Sequence, residues 1–189
     1  MKNQQPIVRM EEELACLSEQ NIDTGKMNKI IACIGIFIAL AASRFIPHPP
    51  NFTSLIALSF YVPAILGLAY LPFLIISFIV TDLFIGFHQT VWFTWGSVLI
   101  IGLLANNFSN SLIKRISGCL LGACLFFIVT NFGVWTLGSY GYSLNGLFTS
   151  YFMAIPFFGY SLISTLVFAF LIEASCQLCK KRFNLNILK

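Results

Sequence analysis

Eight residues of this chain could hold a ligand: Arg44, His48, Asn51, Asp82, His88, Trp92, Asn131 and Trp135. Their surroundings are almost wholly apolar. Arg44 is the only Lys or Arg between Lys29 and Lys114, Asp82 is the one acid inside an apolar run, and His48 and His88 are the only histidines. An uncompensated charge deep in a bilayer costs on the order of 3 kcal/mol, so such residues face a cavity or a partner. Arg44 and Asp82 are natural partners and could fix a ligand's charge or hydrogen-bond orientation. The imidazoles and amides suit the edges of a small heteroaromatic ring, with Trp92 or Trp135 stacked on its face. The plainer reading of the same residues is a buried ion pair that ties three helices together.

Other chemistries are less well served. A firm transition-metal site needs three or four convergent ligands, which His48, His88 and Asp82 could supply only by meeting at one point. Cys176 and Cys179 form a C-x-x-C with no second Cys or His pair beside it, so no metal and no cofactor is expected. An intramembrane enzyme could use Asp82 and His88 as acid and base. The metalloprotease, nucleophile-elbow and phosphate-loop patterns are absent from the sequence, so the chain has no means of using ATP itself. Trp95, Tyr140 and Tyr142 read as an interfacial aromatic belt. Glu173, beside the basic tail, reads as half of a surface ion pair.

The elements that must position these residues follow from composition. The 189 residues are 58% hydrophobic and 10% charged, with a mean hydropathy of +0.85. A water-facing domain carries about 25% charged residues, so this is an all-α integral membrane protein. Apolar runs predict six transmembrane helices: about 28–46, 53–70, 72–86, 91–105, 116–137 and 148–174. A polar tail (1–26) precedes the six-helix domain (27–176), and a basic tail (177–189) follows it. Ten of the eleven Lys and Arg fall in the two tails, at Lys29 where the first span begins, or at Lys114-Arg115. By the positive-inside rule this places both termini in the cytoplasm and Arg44 outside. These basic clusters are short and flank apolar spans, which excludes a nucleic-acid partner.

Arg44 to Thr53 (R-x-x-P-H-P-P-N-F-T) joins the first two spans. Three prolines in four residues cannot continue a helix. The link is therefore stiff and extended, and the polar residues of helices one, three and five are expected to gather beneath it. By helical rise, Asp82 lies roughly 6 Å outward of the midplane, with Asn131 at about the same depth. Gly35, Ala39 and Ser43 repeat every four residues on the first span. Such a small-residue stripe permits close helix packing, inside the bundle or against a partner.

Four motifs resemble a bacterial family of unknown function described as transport proteins. They are the Arg44–Thr53 link, Asp82 to His88 (D-x-x-x-G-F-H), Thr130-Asn131 with Trp135 (T-N-x-x-x-W), and Gly146-Leu147 with Tyr151 and Ile155 to Phe158. Ser54 stands where that pattern has proline. The family in turn resembles the substrate-binding S components of energy-coupling-factor (ECF) importers, six-helix proteins of the bacterial inner membrane that capture vitamins at the outer face. The resemblance implies a similar bundle, an outer small-molecule site and a transmembrane coupling subunit with ATPases as partner. Gly35, Ala39 and Ser43 are the residues it suggests for docking that subunit. A solo transporter, an intramembrane enzyme and a non-catalytic scaffold are the competing readings.

Overall fold

The computed structural model describes residues 30–183. The polar tail 1–26 and the end of the basic tail, 184–189, lie outside the described residues. The chain divides into two units, Met1–Gly35 and Ile36–Lys189, and the core, the ion pairs and the cavity described below lie in the second. Every described element is helical: α1 (Ile30–Phe45), α2 (Leu55–Leu66), α3 (Leu71–Ile85), α4 (Val91–Leu104), α5 (Leu112–Thr136) and α6 (Leu144–Phe183), with 3₁₀ turns at Leu68–Tyr70 and Ala105–Phe108.

Four helical segments are long and apolar enough to cross a membrane: Leu68–Ile85, Val91–Phe108, Leu112–Thr136 and Leu144–Leu178. The protein is membrane-embedded. α1 and α2 are apolar but shorter. At 12 residues, α2 rises only about 18 Å, less than the roughly 30 Å hydrocarbon core. It is instead the buried pillar of the bundle. Its residues Leu55 to Pro63 are all buried, as expected of a helix that is apolar all round. It packs against α4, α5 and α6, while α5 runs along α6. One apolar cluster joins Leu40, Leu55, Val62, Leu74, Phe78 and Val98, and a second joins Phe60, Tyr61, Ile101, Cys119 and Ala169.

Several helix ends depart from the sequence expectation, each for a local reason. α5 starts at Leu112 because the Ser111 hydroxyl caps it, accepting from the Lys114 amide at 3.3 Å. α6 starts at Leu144, where the Ser143 hydroxyl accepts from the Gly146 amide at 3.1 Å. It continues to Phe183, past the expected domain limit at 176. No helix breaker interrupts Gln177 to Phe183. Glycine is required where α6 begins: a Cβ on Gly146 would collide with the carbonyl oxygens of Tyr140 and Gly141.

Candidate functional site

The candidate residues separate into distinct groups. The first is an ion pair. Arg44, near the end of α1, donates from Nη2 to Asp82 Oδ1 at 2.5 Å and from Nη1 to Thr81 Oγ1 at 2.7 Å. Thr81 passes its own proton to the Phe78 carbonyl at 2.8 Å. The second Asp82 oxygen accepts from Trp95 Nε1 at 2.7 Å. The guanidinium lies 4.6 Å above the Phe78 ring, a cation–π contact. Asp82 is fully buried. α1, α3 and α4 are thus joined through one carboxylate whose two oxygens both hold a donor.

This corrects the reading of the tryptophans. Trp95 is the one that serves the ion pair, whereas the sequence placed it in an interfacial belt. Trp92 is 74% exposed and packs edge-on against Trp95. Helical geometry explains the exchange: α4 turns Val91, Thr94, Val98 and Ile101 to the core, and Trp92 projects from another face. Trp135 donates to the Ser143 carbonyl at 3.2 Å across the α5–α6 link.

The second group surrounds a cavity of about 280 Å³. Asn51 comes to it from the proline-rich link, His88 and Thr90 from the α3–α4 link, Thr94 from α4, Thr130 and Asn131 from α5, and Ser161 from α6. Phe126, Phe127, Phe157 and Phe158 complete the wall, and the Phe127 and Phe158 rings lie 4.5 Å apart at 31°. Asn51 adopts φ 61°, a left-handed conformation that asparagine tolerates better than most residues. Its carbonyl accepts from the Ser164 hydroxyl at 3.4 Å, which ties the link to α6. Three of the eight sequence candidates therefore meet here, while Arg44 and Asp82 belong to the ion pair.

His48 is not among the residues around this cavity. Its Nδ1 is 2.8 Å from the Pro49 carbonyl oxygen, and His88 Nδ1 is 3.0 Å from the Thr90 hydroxyl. Among the described residues, no three His, Cys, Asp or Glu side chains group as a metal would require. His48 lines a different, apolar groove of about 610 Å³, together with Ala39, Ser43, Phe168, Leu171 and Ile172. Ser43 bonds the Ser54 hydroxyl at 2.7 Å, so this part of the small-residue stripe packs α1 against the start of α2. Ala39 is exposed, and Gly35 belongs to the first unit.

A third group was not expected. Glu173 is buried, not at the surface, and accepts from Arg115 Nε at 2.6 Å and Nη2 at 2.9 Å. Arg115 Nη1 also donates to the Ser109 carbonyl at 3.0 Å. The pair ties α5, α6 and the link before α5. Arg115 stands next to Lys114 in sequence, but one is buried and the other exposed, because successive helical residues point about 100° apart. Reading the two as one basic cluster concealed this.

A family of unknown function, DUF6580, matches residues 25–186. The chain belongs to DUF6580. The match takes in the ion pair, the cavity and the Arg115–Glu173 bridge, so all three lie in the family's shared region. No curated protein and no solved structure matches the chain.

Proposed function

We propose that this DUF6580 member is the small-molecule-binding component of a membrane uptake system, resembling either the S component of an ECF-type importer or a solo transporter. The observation that carries the reading is the cavity of about 280 Å³, where Asn51, His88 and Asn131 converge from distant stretches between phenylalanine rings. Concave, largely apolar sites with a few convergent polar groups are where small ligands bind. In this reading α1 and α2 complete a six-helix bundle, both termini are cytoplasmic, and the cavity opens outward beneath the proline-rich link. Arg44, Asp82 and Trp95 hold that link's α1 end in place from outside the cavity. Energy would come from a coupling partner with ATPases, docked on the exposed face of α1 at Ala39. The bacterial inner membrane is the setting this implies.

Native mass spectrometry of the detergent-purified protein tests the reading. A small organic adduct should accompany the wild type and be lost in Asn131→Leu, with thermal stability otherwise kept. If a folded wild type carries no adduct and no compound in a metabolite panel raises its melting temperature, the proposal is wrong.

A further inference from the structure

Four of the polar side chains around the cavity share a bias that bears on what can bind there, with Asn51, His88 and Thr90 completing the polar lining. Thr94 Oγ1 donates its proton to the Val91 carbonyl at 2.7 Å, Thr130 Oγ1 to the Phe126 carbonyl at 2.7 Å, and Ser161 Oγ to the Phe157 carbonyl at 3.1 Å. Asn131 Nδ2 donates to the Phe127 carbonyl at 2.8 Å, which leaves its Oδ1 without that constraint. A hydroxyl has one proton and two lone pairs. Each of these hydroxyls spends its proton on its own helix, so what remains for a ligand is lone pairs. Among the described lining residues there is no Lys, Arg, Asp or Glu. The negative faces of aromatic rings add to the same polarity, since ring faces attract cations.

We infer that the cavity prefers ligands that donate hydrogen bonds, an aromatic amine or a related N–H-rich ring, over carboxylates and phosphates. This rests on the binding reading above and narrows it. An anion would meet no Lys or Arg there, only the Asn51 amide and the His88 imidazole, and burying a poorly paired charge is costly. An ammonium or ring N–H would find several acceptors and a π face.

A matched series separates the possibilities: tryptamine, indole-3-acetamide and indole-3-acetate share one ring and differ in the donor or charge of the side chain. Binding is measured by calorimetry on the full chain in detergent. Tryptamine should bind at least about tenfold more tightly than indole-3-acetate, with the amide between, given the strength of hydrogen bonds to charged groups. Thr130→Val keeps the shape, removes one acceptor, and should weaken tryptamine about threefold to tenfold while leaving indole-3-acetate unchanged. Indole-3-acetate equal to or tighter than tryptamine overturns the inference and leaves the binding reading standing. Should none of the three bind, the charge of the adduct found by native mass spectrometry decides: an anionic adduct overturns the inference, an N–H-rich one supports it. No adduct, together with no stabilising compound in the metabolite panel, removes the binding reading itself.

Discussion

Removing the Asp82 carboxylate is the most informative single perturbation, because two donors depend on it. In Asp82→Ala, Arg44 keeps only the Thr81 hydroxyl and the Phe78 ring, and Trp95 Nε1 loses its acceptor. Breaking a buried pair by deleting one partner costs about 3–5 kcal/mol. An orphaned buried N–H adds about 1–3 kcal/mol. The Arg44 side chain is 13% exposed, so its charge can partly reach a wetter environment, and the total belongs near the lower end, about 4 kcal/mol. For a chain of this size each kcal/mol moves the midpoint by about 2–4 °C, so Tm should fall by about 8–16 °C. Asp82→Asn keeps an acceptor for Trp95 and should lose less.

The assay is thermal unfolding in detergent followed by a thiol-reactive dye, which reports exposure of the buried Cys119. The decisive measurement is the double variant Arg44→Met/Asp82→Ala. With the charge gone, most of the penalty goes too, because a buried ion pair replaced by apolar groups is often close to neutral. The double variant should therefore melt above Asp82→Ala. The reasoning is refuted if Asp82→Ala melts within about 2 °C of wild type, less than 1 kcal/mol on the same scale, or if the double variant loses as much as the two single variants added together.

Two further outcomes follow from the other end of the bundle and from the α6 start. Glu173→Ala should lower Tm by about 6–20 °C, the range for a buried pair deprived of one partner, and Arg115→Met/Glu173→Leu should recover much of it; a dye-monitored melt of Glu173→Ala matching wild type would return the pair to the surface role first assigned to it. Gly146→Ala forces a methyl into the Tyr140 and Gly141 carbonyls, which are backbone and cannot swing aside. Overpacking of this kind costs about 1–3 kcal/mol, and an unchanged melting curve would mean that α6 starts elsewhere.

Much of this was readable from the residues alone. The Arg44–Asp82 pairing followed from scarcity: one cation and one acid, each isolated in apolar sequence, have few alternatives to each other. Depth arithmetic put Asn131 level with Asp82 and led to the expectation of one gathered set, but equal depth does not bring side chains together: Asp82 turns to Arg44 and Trp95, whereas Asn131 lines the cavity with Asn51 and His88. Position around a helix axis is harder to read. Nearly every residue of α4 is apolar or small, so periodicity gave no means of choosing Trp95 over Trp92 as the Asp82 partner. The same blindness hid Arg115, whose neighbour Lys114 is an ordinary exposed lysine. α2 has the composition of a membrane span but is shorter than the apolar run 53–70 suggested, 12 residues from Leu55 to Leu66.

These errors share a physical origin, and it explains why the two charged pairs and the cavity are separate. In lipid, apolar side chains are as content outward as inward, so hydrophobic pattern loses its power to orient helices. Orientation then falls to the few groups that lipid cannot satisfy. Here those groups are the Arg44–Asp82–Trp95 set, which joins α1, α3 and α4, and the Arg115–Glu173 pair, which joins α5 and α6. Each is neutralised within itself, which leaves the cavity free of fixed charge among its described lining residues. A site lined by hydroxyl lone pairs, two amides, one imidazole and ring faces is then a consequence of spending the charges on holding the helices. Its selectivity should survive changes that shift stability at either pair, provided the helices still meet.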